Sequence, residues 1–185
     1  MEHDLVVRAQ GGDIDAFSAL TAGRTTRLYA TARLILRDDE RAADAVQDAL
    51  LRAWLDVRGL RDPDRFDAWL YRLLLRACYG AARRHRTRAV VEIDLSSLAE
   101  PGIPDAQRSV AVRDQLDRGF RRLSTDHRAV IVLVHYLGFS LADAAEAIGV
   151  PLGTVQSRLS RATAAMRAAI EADERATDLA REIAR

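Results

Sequence analysis

Apolar residues in this chain return every three or four positions over long stretches, and that periodicity restricts the fold more than any other feature. In "DDERAADAVQDALLRAWLDV", Val46, Leu50, Ala53 and Val57 share one helix face, with Asp38 or Asp39 placed to cap its start. In "PDRFDAWLYRLLLRACYGAARR", Phe66, Leu70, Leu73 and Ala77 form a second stripe behind Pro63, a residue suited to the first turn of a helix. A third stripe, in "TTRLYATARLILRD", carries Leu28, Ala32, Ile35 and Leu36. Three or four such helices between Asp13 and about Arg88 suffice to close a small bundle. Trp54 and Trp69 read as core residues of that bundle.

The pattern stops between Ala89 and Arg108, where Pro101, Gly102 and Pro104 interrupt an acidic stretch with no sustained stripe. "AVVEIDL" is the one short run resembling a strand, and it has no partner to pair with. From about Val110 helical spacing returns; Ser124 or Thr125 opens "STDHRAVIVLVHYLG", and Gly138 closes it. The expected class is all-α: two small helical domains, residues 1–88 and 109–185, joined by a flexible linker at 89–108.

Composition excludes several function classes. Basic and acidic residues number 28 and 27, so the chain as a whole presents no polyanion-binding charge, and any such surface must be local. All the cations are arginine. A single cysteine, Cys78, allows no disulfide framework and points to a reducing compartment. No stretch approaches the ~20 apolar residues of a membrane span, and Met1 to Leu20 lacks the pattern of a leader, so a cytoplasmic protein without membrane insertion is expected. His3, His85, His127 and His135 have no cysteine or carboxylate neighbours at ligand spacing, and no nucleophile motif or phosphate-cradling loop appears. Neither metal, cofactor nor enzymatic activity is expected.

Two local surfaces do suggest chemistry. "FSLADAAEAIGVPLGTVQSRLSRATAAMRAAI" reads as two helices around a tight turn, started by Ser140 with Asp143 and broken by Gly149 and Pro151. Val155, Leu159, Ala162 and Met166 point the second helix into its domain, which turns Thr154, Ser157, Arg158 and Arg161 outward, with Gln156 and Ser160 beside them. Arginine donates twice to a guanine edge, glutamine can pair with adenine, and hydroxyls suit phosphate, which is what a helix-turn-helix reader requires. A polar surface on an ordinary helical hairpin is the competing reading. Upstream, Arg65, Arg72, Arg76 and Arg83 follow one line of the helix behind Pro63, with Tyr79 beside them and Arg84 extending the cluster. Such a row suits phosphates, and an aromatic within it suits an unpaired base, although a merely solvated face with Tyr79 half-buried fits as well. Asp44, Gln47, Asp48 and Arg52 make a mixed polar face unsuited to DNA, open to solvent or to a protein partner.

At these motifs the chain resembles the extracytoplasmic-function sigma factors of bacterial RNA polymerase, over nearly its whole length. "DAVQDALLRAW" is similar to the family's helix that docks on the clamp of the beta-prime subunit, with Asp44, Val46, Gln47 and Arg52 matching, Asp48 in place of Glu and Leu50 in place of Phe. "FDAWLYRLLLRACYGAARR" resembles the helix that binds and opens the minus-ten promoter element, and "LSTDHRAVIVLVHYLGFSLADAAEAIGVPLGTVQSRLSRA" the domain that reads the minus-thirty-five element. The resemblance implies core polymerase (beta-prime clamp and beta subunits) and promoter DNA as partners. It also implies a linker threaded near the RNA exit path and a pocket for an unstacked base around Gly59 to Arg65. Many members are held by an anti-sigma factor, which no residue here identifies; the tail "EADERATDLAREIAR" reads as a solvated end. Arg76 and Gly80 stand where members often carry Asn and Asp, and Gln156 where they often carry Lys, so no promoter sequence is carried over. The alternative is a free-standing helix-turn-helix regulator whose N-terminal bundle senses or dimerises.

Overall fold

The computed structural model describes residues 2–89 and 116–183 of the 185-residue chain. In order, these form α1 (Glu2–Gln10), α2 (Ile14–Ala22), α3 (Thr25–Leu36), α4 (Asp39–Asp56) and α5 (Phe66–Ala89), with 3-10 turns at Val57–Gly59 and Pro63–Arg65. The chain is helical again over 116–122 (α6), followed by α7 (Thr125–Ile131), a π-helical turn at Val132–Tyr136, α8 (Leu141–Ile148) and α9 (Leu152–Ile183). No strand occurs among the described residues, as the sequence leads one to expect. Apart from Ala89, which ends α5, the linker and the "AVVEIDL" run lie outside the described residues.

Helix ends are set by the side chains that the sequence places there. Asp38 accepts a hydrogen bond from the backbone N–H of Arg41 at 2.7 Å and pairs with its guanidinium at 2.9 Å. Burial alone would raise the Asp38 carboxyl, but these Arg41 contacts hold it below its ordinary value. Ser124 caps α7, and Ser140 caps α8 by accepting from the Asp143 N–H at 3.1 Å while donating to the Asp143 carboxylate at 2.6 Å. Gly149 ends α8 at φ 78°, a conformation that suits a residue without Cβ. Arg37 adopts the same left-handed geometry at φ 58°, alone among the described non-glycine residues, and ends α3.

α1 was not legible as a helix in the sequence; only Val6 and Ala9 of it are buried. Arg24 ties it down, bridging Glu2 of α1 and Asp67 of α5 while lying over the Phe66 ring. α5 packs against α3 and α4, and its Phe66, Leu70, Leu74 and Leu75 are fully buried. In the C-terminal unit α9 packs on α7 and α8; its Val155, Ala162, Met166 and Ala169 are buried, the last two against Gly119 of α6.

The two units do not stand apart. α8 lies along α5, α7 reaches α3 and α5, and Val130, Leu133, Ala144 and Ala145 join the same continuous core as Leu70 and Leu74. Tyr71 of α5 meets Phe139 edge-on at 5.5 Å. The tryptophans depart from expectation: both are only partly buried, Trp54 edge-on to Phe17 at 5.2 Å and Trp69 tilted on Phe66 at 5.8 Å. Each lies at a helix flank, where one side of so large a ring is left at the surface.

Asp38→Ala is expected to remove about 1 kcal/mol of stability, as loss of an N-cap does, lowering Tm by ~2–4 °C in thermal circular dichroism. Burial pushes the Cys78 thiol up to about 12. It should therefore resist a thiol reagent in the native protein and react once denaturant unfolds it.

Candidate nucleic-acid interface

α5 carries its cations along a rim left over by its buried residues. Arg76, Arg83 and Arg84 are exposed and pair with no acid among the described residues. Arg65, at the end of the 3-10 turn, and Arg72, nearly two turns into α5, are instead occupied. Arg65 lies 3.2 Å from Asp143 and 3.1 Å from Glu146 of α8, and Arg72 pairs with Glu146 as well. Tyr79 is partly buried and its hydroxyl is wholly enclosed, near Asp126 and Arg158. Burial first, and the Asp126 carboxylate next, push its phenol pKa up. In this arrangement the Tyr79 ring is only partly open, its hydroxyl end set against Asp126 of α7 and Arg158 of α9.

Beside the start of α5 is a cavity of about 470 Å³, walled by Gly59 to Asp62, Arg65, Trp69 and Arg72, with Glu146 at its edge. This is where the resemblance places the base pocket. Its loop is held by α1: Gln10 Nε2 donates to the carbonyl oxygens of Leu60 at 2.7 Å and Val57 at 3.2 Å. One amide thus supplies the Leu60 carbonyl with a donor and gives a second to Val57, whose carbonyl also accepts from the Leu60 N–H at 3.1 Å. Gln10, Trp69 and Glu146 are site residues missed by sequence reasoning. Only Trp69, one turn beyond Arg65, carried a signal.

On α9, Gln156, Ser157, Ser160 and Arg161 are exposed. Thr154 and Arg158, expected on the same open face, are half-buried. The Arg158 side chain retains 23% exposure; its Nη2 lies 3.2 Å from Asp126, and its Nη1 is buried without a hydrogen bond. The reason is tertiary: α7 and the Tyr79 end of α5 cover this line of the helix, while Arg161 lies beyond them.

On α4, Asp44, Gln47 and Arg52 are exposed and Asp48 is partly so. Next to this face an open groove of about 700 Å³ runs between α3 and α4, floored by Tyr29, Val46, Leu50 and Leu51. Leu51 and Leu55 are 57% and 66% exposed. Their i, i+4 spacing, on a line apart from the Val46 stripe, was the available signal for an apolar edge. Among the described residues no three His, Cys, Asp or Glu side chains gather as metal ligands.

The family model described as Sigma-70 region 2 matches residues 24–88, and that described as Sigma-70, region 4 matches 113–166. The ECF RNA polymerase sigma factor SigM of Mycobacterium tuberculosis is 34% identical over 163 residues, 87% of this chain and 80% of that protein. RNA polymerase sigma factor CnrH of Cupriavidus metallidurans is 31% identical over 180 residues, 91% of this chain and 94% of that one. The solved structure of CnrH in complex with the cytosolic domain of CnrY superposes with a TM-score of 0.66, covering 93% of this chain and 98% of that one. The sigma factor RpoE of Bartonella quintana, solved with the anti-sigma factor NepR, is 29% identical with a TM-score of 0.68, covering 85% and 98%.

Replacing Gln10 by Leu should leave the Leu60 carbonyl unpaired and strip the Val57 carbonyl of its second donor, at ~1 kcal/mol for each lost bond. Amide exchange across 57–62 should then rise roughly ten- to thirtyfold, with α5 amides unchanged, as read by hydrogen exchange.

Proposed function

The chain belongs to the extracytoplasmic-function sigma factors of bacterial RNA polymerase, and from that membership we propose how its surfaces divide the work. As a sigma factor it directs core polymerase to promoters to initiate transcription. In this reading residues 1–88 hold core enzyme and the minus-ten element, and 109–185 read the minus-thirty-five element. Asp44, Gln47, Asp48 and Arg52 dock on the beta-prime clamp; the groove floored by Tyr29 and Leu50, with Leu51 and Leu55 at its edge, adds apolar area to a face that would otherwise rely on exposed charges worth little each. The beta subunit is the further contact on core polymerase.

Arg65, Arg72, Arg76, Arg83 and Arg84 neutralise phosphates around the minus-ten element, and Thr154, Gln156, Ser157, Arg158 and Arg161 present donors to the minus-thirty-five major groove. The observation that carries the reading is the cavity of about 470 Å³ at the head of the arginine row. Trp69 and two guanidiniums around a void form a receptacle for an unstacked base, bound by stacking and cation–π contact. Capturing such a base helps hold the strands apart, at a cost of a few kcal/mol per unstacked step. The protein moves no covalent bond, needs no cofactor and works in the cytoplasm; no described helix is long and apolar enough to cross a membrane. CnrH and RpoE were captured with CnrY and the anti-sigma factor NepR respectively, which supports an inhibitory protein partner for this chain too.

Run-off transcription with core enzyme tests the assignment. Arg161→Ala should lower promoter-dependent transcript about tenfold, within the ~1–3 kcal/mol of a good base contact, with core binding intact. Asp48→Arg should weaken core binding and leave the DNA-reading surfaces unaltered. A protein that binds a promoter duplex tightly as a dimer and adds nothing to core polymerase is instead a free-standing regulator.

A further inference from the structure

We propose that Gln10 is a positioning residue for the cavity beside Trp69: acting from behind the loop, its amide fixes the Leu60–Arg61 peptide in the form that receives an unstacked base. The inference rests on the reading of that cavity as the receptacle for such a base. No α1 residue lines the cavity, whose walls include Gly59 to Asp62, Arg65, Trp69 and Arg72. Gln10 therefore acts on the base through the loop, without touching it.

The loop has little of its own to hold it. The Leu60 N–H donates to the Val57 carbonyl at 3.1 Å, and Asp62 accepts from the N–H groups of Asp64 and Arg65, each at 3.1 Å. Between these two points the Arg61 N–H has no partner among the described residues. Val57 and Leu60 bury their side chains, but that alone leaves the plane of the next peptide free to turn. Gln10 Nε2, at 2.7 Å, is the one donor to the Leu60 carbonyl among the described residues. Because the peptide is planar and trans, holding its carbonyl against α1 turns the Arg61 N–H the opposite way, free for an acceptor atom of the captured nucleotide.

α1 is seated for this role. It contacts both 3-10 turns, and His3 Nδ1 lies 2.9 Å from Asp64 in the second of them. Past its other end Gly12 has φ 94°, and a Cβ there would come within 3.2 Å of Arg58 Nη2, so the turn after α1 is shaped to admit a side chain of the first. A loop held in its receiving form beforehand spares the cost of ordering it when the base arrives.

Binding of holoenzyme, formed from core polymerase and the full-length chain, to a promoter it transcribes tests the assignment. Each non-template nucleotide of the minus-ten element is replaced in turn by an abasic site. For the wild type, one position should cost about tenfold in affinity, a typical worth for one stacked base. Gln10→Leu should cut that penalty to about twofold while leaving every other position within about twofold of wild type. Gln10→Lys, whose ammonium still donates to both carbonyls, should keep the full penalty. If Gln10→Leu retains the penalty, whether or not it binds all templates more weakly, the proposal is overturned. Loss of the penalty in Gln10→Lys as well makes side-chain shape rather than hydrogen bonding the cause, and overturns it too. Should Gln10→Leu lose its helical circular dichroism, Gln10→Met, unbranched and without a donor, decides in its place. If no abasic position costs the wild type anything, the receptacle reading is at fault and takes the proposal with it. If one does, and Trp69→Ala blunts it where Gln10→Leu does not, the receptacle stands and the Gln10 assignment alone falls.

Discussion

α5 is buried on more than one side, and most of the molecule's organisation follows from that. Leu73, Leu74 and Leu75 are consecutive and all buried. At about 100° per residue they sweep some 200° of the helix circumference, more than one neighbouring layer can cover. α3 and α4 take one part and α7 and α8 another. A helix enclosed so widely has only a narrow strip left for charge, which is why its arginines lie in a row. The row therefore borders both the cavity beside Trp69 and the C-terminal unit, whose α8 carboxylates meet Arg65 and Arg72.

The use of arginine alone suits so narrow a strip. A guanidinium presents a planar fork that can meet more than one acceptor atom at once without giving up its charge. Arg65 meets two carboxylates at once, and Arg37 meets both oxygens of Asp117. The Arg37 N–H groups and charge hold the Asp117 carboxyl below its ordinary value of 3.8. A depressed carboxyl contributes its stability fully above the unfolded value and loses it only as pH falls through the lower folded one. Near neutrality the Arg37–Asp117 pair is consequently indifferent to pH and responsive to salt.

Within each helix the local architecture was legible from Asp38, Pro63, Ser124, Ser140 and Gly149, because a cap or a turn is decided by a few neighbouring residues. The inward line of α9 was equally plain from Val155, Ala162 and Met166. α1 escaped because nine residues with two buried positions give periodicity too little to count, and its use depends on Gln10 reaching a loop about fifty positions away. Arg158 was misjudged in exposure, and Tyr79 was left open between an exposed and a half-buried side, for a related reason: a helical wheel assigns a side to each residue but cannot say that another helix will cover it. The run of Leu73 to Leu75 held the missing information. A single stripe through Phe66, Leu70, Leu73 and Ala77 leaves Leu74 and Leu75 without a place, and that surplus marks a helix with more than one neighbour.

The face that α8 lays on its neighbours is made largely of Ala144, Ala145 and Ala147. Alanine has no rotamers to freeze and no long side chain to interlock. A face of this kind interlocks little, so the register of α8 on α5 falls to directional contacts at its edge, the ion pairs of Arg65 and Arg72 with Asp143 and Glu146.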